Sequence, residues 1–132
     1  MQDTPDHTEI LAAVTALLRQ EIMPLLTARP NYQVRVAANA LDLVSRQMAM
    51  QDGFDKAEEA RLVTLLGRDG SLVELNQALC DAIESHALTL ESPGVADHLW
   101  ATTMAKLAVD QPSYARYQAE LNLAPSAPNN RA

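Results

Sequence analysis

The stretch that most constrains the fold is residues 35–46, which lie in a predicted helix that is apolar on most sides. Four polar residues fall at i, i+4, i+7 and i+11 and form one stripe about 60° wide on a helical wheel. They are Arg35, Asn39, Asp42 and Arg46. Most of the other positions are Ala, Val or Leu, whereas a surface helix normally has a limited apolar face. The pattern predicts a central helix that is buried on most sides.

Composition favours an all-α fold around this helix. Only 4% of the 132 residues are aromatic, four are glycine, and runs of β-branched residues are few, all of which argues against a sheet protein. A chain of this length commonly forms one domain with one core. We therefore predict a single-domain bundle of about five helices.

Net charge and cysteine content limit the partners. The formal net charge of −7 opposes binding to nucleic acid or an anionic membrane surface unless a basic patch exists, and Lys and Arg are not clustered. The single cysteine, Cys80, excludes an intramolecular disulfide and fits a reducing compartment. No apolar run reaches membrane-spanning length, and residues 1–7 do not resemble a signal peptide. We expect a cytoplasmic protein without nucleic-acid or membrane partners.

The N-terminal helix is expected to form an antiparallel hairpin with the central helix. Thr4 and Pro5 are predicted to be the N-cap and the first residue of this helix. Pro24 is predicted to end or kink it. Glu21 falls on the apolar face, where an unpaired carboxylate is costly. A short connection would bring Glu21 near Arg35, so two interpretations stay open: an ion pair with Arg35, or a side chain that reaches solvent.

Turn and cap signals divide the rest of the chain. Residues 52–55 (Asp-Gly-Phe-Asp) are predicted to form a turn. A short helix is predicted to follow this turn and to end at Gly67. Ser71 and Glu74 form a capping box that opens the most clearly amphipathic helix. Residues 92–93 (Ser-Pro) start the last long helix, which runs toward Pro112. We predict one helical domain over 1–123 and a disordered tail over 124–132.

Three stretches, 35–41, 65–70 and 102–114, together with 9–14, resemble a bacterial family of small proteins that is labelled a domain of unknown function. The resemblance covers roughly residues 5–117. It implies a supporting role, because members are often encoded beside or fused to aminoglycoside-phosphotransferase-like kinases and near acyl-CoA dehydrogenases. It implies no activity. The family's polar motif residues fall here on Arg35, Asn39, Lys106, Asp110 and Tyr114.

The usual signatures of catalysis are not found. No Glu has a His three residues on, as a di-iron bundle would need, and no glycine-rich phosphate loop is present. Cys80 and His86 are expected to be core residues without a chemical role. His98, Thr102, Lys106 and Asp110 have the spacing of a proton relay, although packing and a weak ion pair explain them more simply. We predict no catalytic residue, no metal and no cofactor.

Two functions remain open. The first is a non-catalytic accessory or interaction module whose partner is a neighbouring phosphotransferase-like or acyl-CoA dehydrogenase enzyme or a second copy of the chain in a homo-oligomer. The second is a site for a small anion (carboxylate, phosphate or acyl-CoA), with binding or enzymatic activity, between the central helix and the last long helix, on which a second polar stripe is formed by Thr102, Thr103, Lys106 and Asp110. We favour ion pairs within the fold for the arginines of the stripe, because nearby acids nearly match them. The candidate residues are Arg35, Asn39, Asp42, Arg46, Glu21, Lys106, Asp110 and Tyr114.

Overall fold

A computed structural model describes residues 4–123 and shows an all-α protein, as predicted. Its contacts divide the chain into two compact units, unit 1 up to Asp52 and unit 2 from Gly53 onward. The antiparallel N-terminal hairpin and the single domain over 1–123 stay predictions, and the predicted tail over 124–132 lies outside the described residues. The helices are α1 (His7–Leu17), α2 (Ala28–Leu66), α3 (Leu72–Glu84), α4 (Val95–Asp110) and α5 (Ala115–Leu123).

The N-cap of α1 is Asp6 and not Thr4 as predicted. The Asp6 carboxylate accepts hydrogen bonds from the backbone N–H groups of Thr8 and Glu9, both at 2.9 Å. The Glu9 carboxylate in turn accepts from the Asp6 backbone N–H at 2.8 Å. This capping box satisfies more of the free N–H groups at the helix start than a threonine two residues earlier can.

Pro24 changes the helical geometry of the residues that follow α1 and precede α2. A π-helical turn covers Leu18–Ile22, and a 3₁₀ turn covers Met23–Leu25. Proline has no N–H, and its ring crowds the carbonyl four residues earlier, so the α-helical hydrogen bonds cannot continue through it. The carbonyl of Met23 accepts from the Leu26 backbone N–H at 3.2 Å and from the side-chain amide of Asn31 at 2.7 Å. The bond from Asn31 ties the end of this segment to the first turns of α2.

Helix α2 is one continuous helix of 39 residues, so the turn predicted at residues 52–55 is wrong. Gly53 weakens a helix by about 1 kcal/mol relative to alanine but does not break it. Pro30 is likewise tolerated because it lies in the first turn, where N–H groups have no partner within the helix. Helix α2 supplies residues 28–52 to unit 1 and residues 53–66 to unit 2.

Unit 1 buries few side chains, which corrects the prediction that the central helix is enclosed on most sides. Within residues 4–52, the buried side chains are those of Thr15 and Ala38, and neither is large. A two-helix unit of this size has too little interior to bury large side chains fully. Helix α2 instead exposes an apolar row at every fourth position, which we call the apolar ridge: Tyr32, Val36, Ala40, Val44 and Met48.

The connection from α2 to α3 follows the sequence signals closely. Gly67 adopts a left-handed backbone with φ of 63° at the end of α2, a conformation that favours glycine. Ser71 and Glu74 form the predicted capping box: the Ser71 hydroxyl accepts from the Glu74 N–H, and the Glu74 carboxylate accepts from the Ser71 N–H at 2.9 Å. Both predictions are confirmed.

Helix α4 begins later than predicted, because Gly94 and not Ser92 is its N-cap. The Gly94 backbone is left-handed, with φ of 85°. The Ser92 hydroxyl accepts from the Thr89 backbone N–H at 3.0 Å and so closes the preceding turn, and no side chain caps the start of α4. The helix ends at Asp110, before Pro112, as the proline requires.

The core lies in unit 2. Leu62 of α2 and Leu75 of α3 are both fully buried. They form one cluster with Leu79, against which the half-buried Leu65, Leu66, Leu72 and Leu88 pack. The amphipathic helix α3 thus contacts α2 through Leu75 and Leu79. The buried hydrophobic residues of the last two helices are Val95, Val109 and Tyr117.

Candidate functional site

The polar stripe of α2 is partly paired within unit 1, by a residue that the sequence did not single out. The Arg19 guanidinium, through Nη2, donates to Asp42 Oδ2 at 2.6 Å and to Asn39 Oδ1 at 2.8 Å. Both ends of the ion pair are about one third exposed or more. Such a pair contributes less than about 1 kcal/mol to stability. It places Arg19, from the π-helical turn after α1, against Asn39 and Asp42 of α2.

The predicted ion pair between Glu21 and Arg35 is not formed. Glu21 is exposed, and the guanidinium carbon of Arg35 lies 5.7 Å from the centre of the Tyr32 ring, a cation–π distance. The alternative that Glu21 reaches solvent is the one that the structure supports. The contact fails because Arg19, two residues before Glu21, is the side chain that faces the stripe. Arg46 is half-buried.

The polar residues predicted on the last helices lie in unit 2. Lys106 and Asp110 of α4 are exposed, as is Tyr114, which follows that helix. In the described part of the chain, Lys106 and Asp110 form no ion pair with each other. A site that combines them with the stripe of α2 would join residues of both units, and it stays a prediction.

Two residues that were expected in the core are at the surface. Cys80 is an exposed free cysteine. His86 is exposed and has a left-handed backbone with φ of 59°, because it follows the C-cap of α3, where the chain turns sharply. The histidine that is buried is His98, at 3% exposure. Across residues 4–123, no group of His, Cys, Asp and Glu side chains is arranged to hold a metal ion.

A cavity of about 480 Å³ in unit 2 adjoins His98. This volume is within the range of small-molecule sites. One wall comes from the end of α2 and the other from the start of α4. The lining residues are Ala60, Arg61, Thr64, Leu65, Pro93, Gly94, Asp97 and His98.

Three buried polar atoms of unit 2 lack a hydrogen-bond partner among the described residues: Arg61 Nε, His98 Nδ1 and Thr102 Oγ1. Arg61 and His98 line the cavity, and Thr102 lies one helical turn beyond His98. In folded proteins more than about nine in ten buried polar groups are hydrogen-bonded, so these three atoms are exceptions.

His98 is held neutral by its surroundings. Burial lowers the pKa of the imidazole, the positive charge of Arg61 lowers it further, and the carboxylate of Glu58 partly opposes them. Near pH 7 the ring therefore has one N–H donor and one acceptor nitrogen. Glu58 is itself engaged, because its Oε1 accepts from the Asn76 side-chain amide at 2.8 Å.

The lowered pKa of His98 makes the stability of the protein depend on pH. In the unfolded chain a histidine takes up a proton near pH 6.5, whereas buried His98 does so only at lower pH. Below about pH 6.5 the unfolded state binds more protons, so the free energy of unfolding is expected to fall as pH decreases toward 5. Urea denaturation at several pH values measures this slope.

Two substitutions test the origin of that slope. His98→Gln is expected to flatten it, and His86→Gln, at an exposed histidine, is expected to leave it unchanged. Carboxylates whose pKa values are lowered, such as Asp6 and Glu74, lose their contribution only below about pH 4.5. A slope between pH 5 and 6.5 that persists in His98→Gln would contradict the assignment.

Two arginines were missed by the sequence reasoning: Arg19, which pairs with Asp42, and Arg61, which lines the cavity. A signal for Arg61 existed, because on a helical wheel it borders the apolar face that carries Leu62 and Leu65. A charge beside an apolar stripe is normally solvated, so the pattern by itself does not distinguish it from a surface arginine. His98 was recognised only as one member of a proton relay.

Comparison with known proteins places the chain in a family. The family model described as a domain of unknown function (DUF6285) matches residues 24–114. The chain belongs to this family. The match includes the stripe of α2 and the cavity residues of α2 and α4. No curated protein and no solved structure is significantly similar to the chain. Within residues 4–123, no helix combines the length and hydrophobicity needed to cross a membrane.

Proposed function

We propose that this member of the family is a non-catalytic interaction module that binds a neighbouring enzyme through the apolar ridge of α2. The observation that carries the proposal is the exposure of large apolar side chains in unit 1. Val36 is 49% exposed, Val44 41% and Met48 46%, and together with Tyr32 they follow one row of the helix. Contiguous exposed apolar surface of this kind is typical of protein interfaces.

Helix α1 extends the exposed apolar surface of unit 1. Its Ile10, Val14 and Leu17 are each between 41% and 50% exposed. The whole of unit 1 therefore leaves its largest apolar side chains only partly covered. Packing a further helix on the ridge would bury its half-exposed side chains, and each one that becomes fully buried contributes roughly 1 kcal/mol, about half the value for a fully exposed side chain, before the costs of association.

The charges around the ridge favour an acidic partner. Although the chain carries a net charge of −7, two arginines near the start of the ridge, Arg29 and Arg35, are exposed. Asp42 is engaged by Arg19. An amphipathic helix with acidic flanks complements this surface. A row at every fourth position is also the ridge that packs into the groove of a second helix.

The partner we infer is a phosphotransferase-like enzyme or an acyl-CoA dehydrogenase encoded beside the gene. This choice rests on the resemblance described above, as does a bacterial, cytoplasmic origin. A second copy of the chain is the competing occupant of the ridge.

Co-purification of the full chain with each neighbouring enzyme tests the proposal. Val44→Glu places a charge on the ridge and is expected to weaken binding at least about tenfold. Val73→Glu makes the same change at a residue that is 80% exposed on α3, and it is expected to bind like the wild type. Met48→Glu serves as a second ridge variant if Val44→Glu does not fold.

Three outcomes would contradict the proposal. They are a wild-type chain that elutes apart from both enzymes, ridge variants that fold and still bind like the wild type, and a homodimer that Val44→Glu dissociates while no enzyme binds. The last would assign the ridge to self-association. Circular dichroism of each variant distinguishes loss of binding from loss of the fold.

A further inference from the structure

The start of α4 (residues 95–102) meets the end of α2 at a contact that buries polar atoms without pairing them. His98 is 3% exposed, and it lines the cavity between the two helices together with Arg61. His98 Nδ1 and Arg61 Nε are both buried and hydrogen-bond to nothing within residues 4–123. Such atoms weaken the closed contact, because water would satisfy them if the two helices moved apart.

The contact between α2 and α3 is of a different kind, since it is wholly apolar. Its centre is the cluster of Leu62, Leu75 and Leu79, which in the described part of the chain includes no residue of α4. The start of α4 also lacks a side-chain cap, because its N-cap is Gly94, and an uncapped helix end opens more easily. Val95, which is 1% exposed, stabilises the closed form. The start of α4 can therefore open while the cluster stays intact.

Protonation of His98 would place a positive charge in the closed contact. A protonated imidazole has an N–H at both nitrogens, so its Nδ1–H would be a buried donor without an acceptor. Burial and the positive charge of Arg61 both lower the pKa of the ring. The closed contact thus disfavours the protonated ring, whereas an open contact, in which water reaches the ring, accepts it.

The carboxylates around His98 do not offset this charge. Glu58 of α2 attracts the protonated ring but is a weaker influence than burial and the arginine, and a side-chain amide of α3 occupies its Oε1. Asp97, the preceding residue of α4, is exposed, where solvent screens its charge. On α5, Arg116 and Glu120 pair with each other at 3.0 Å.

We propose that uptake of a proton by His98 separates residues 95–102 from α2 while the α2–α3 cluster stays folded. Opening exposes Val95 and the half-buried Leu65, so unit 2 gains apolar surface as the pH falls. The region that opens is a part of unit 2 and does not involve the apolar ridge. This local step precedes the acid destabilisation of the whole chain, which depends on the same histidine.

Amide hydrogen exchange of the full wild-type chain tests the proposal, measured by nuclear magnetic resonance at pH 7 and pH 5 and corrected for intrinsic rates. The N–H groups of residues 98–102 are expected to be less protected than that of Leu79 at both pH values. Their protection should fall several-fold between pH 7 and pH 5. The limit is about 25-fold for one histidine that takes up a proton near pH 6.5 in the open form.

Two results of this experiment would overturn the proposal. Equal protection of residues 98–102 and Leu79 would mean that α4 leaves α2 only when the whole of unit 2 unfolds. Protection of residues 98–102 that is below that of Leu79 but equal at pH 7 and pH 5 would mean that the helix end opens without regard to the histidine.

His98→Gln keeps a polar side chain and removes the group that takes up the proton. In this variant the protection of residues 99–102 is expected to change by less than about twofold between pH 7 and pH 5. His86→Gln makes the same change at an exposed histidine and should retain the wild-type pH effect. A full pH effect in His98→Gln would overturn the proposal.

The imidazole nitrogen signals of the wild-type chain give a readout that does not require a folded variant. These signals distinguish a neutral ring from a protonated one. As the pH is lowered, His98 is expected to become protonated together with the loss of protection at residues 98–102. A protonated His98 in a chain whose residues 98–102 keep their protection at pH 7 would overturn the proposal.

Discussion

Leu75→Ala is expected to lower the free energy of unfolding by about 3 kcal/mol, the typical cost of removing a fully buried leucine side chain. Leu75 has no solvent exposure and lies in the cluster with Leu62 and Leu79. Alanine removes three buried carbon atoms and leaves a hole between α2 and α3 that the rigid helices close only in part. Urea denaturation monitored by circular dichroism measures the change.

The matched control for this substitution is Val73→Ala on the same helix. Val73 is 80% exposed, so its truncation should change the free energy of unfolding by less than about 0.5 kcal/mol. If Leu75→Ala cost no more than Val73→Ala, the α2–α3 cluster would not be the core of unit 2.

Gly94→Ala and Gly53→Ala are expected to change stability in opposite directions. Gly94 has a φ of 85°, a conformation that costs a residue with a Cβ about 1–2 kcal/mol. The Cβ itself would lie 3.5 Å from Leu65 Cδ1, an ordinary contact, so the cost comes from the backbone. Allowing for the smaller entropy of unfolded alanine, we expect a loss of about 1 kcal/mol.

Gly53 provides the comparison because it lies within α2. A Cβ there would meet nothing within 4 Å, and alanine favours a helix over glycine by about 0.5–1 kcal/mol. Gly53→Ala is therefore expected to raise the free energy of unfolding by that amount. Thermal and urea denaturation of both variants measure the difference, and stabilisation by Gly94→Ala would contradict the left-handed backbone at the start of α4.

The helix boundaries that could be predicted are those set by local chemistry. The capping box at Ser71 and the left-handed glycine at Gly67 depend only on neighbouring residues, which is why the sequence indicates them correctly. The boundaries that failed involve competition between local signals. Asp6 satisfies the N–H groups at the start of α1 better than Thr4 would. The Ser92 hydroxyl accepts from the Thr89 backbone N–H and does not cap α4.

Burial was predicted less well than helices. A helical wheel shows which residues share a face, but it does not show whether another element covers that face. Val36 and Val44 are apolar and nevertheless about half exposed, whereas His98 is polar and buried. The periodicity of the three residues gives no hint of this difference, since it depends on which helices meet.

The sequence by itself determined the all-α class, the capping box at Ser71, the helix end at Gly67 and the family, because these follow from composition, from interactions over a few residues and from the motif pattern. Only the tertiary structure decided that Arg19 pairs with Asp42 and that Arg61 and His98 share one cavity. Arg19 and Asp42 are 23 residues apart in the chain. Contacts over such separations arise from the packing of whole helices, for which local propensity contains no information.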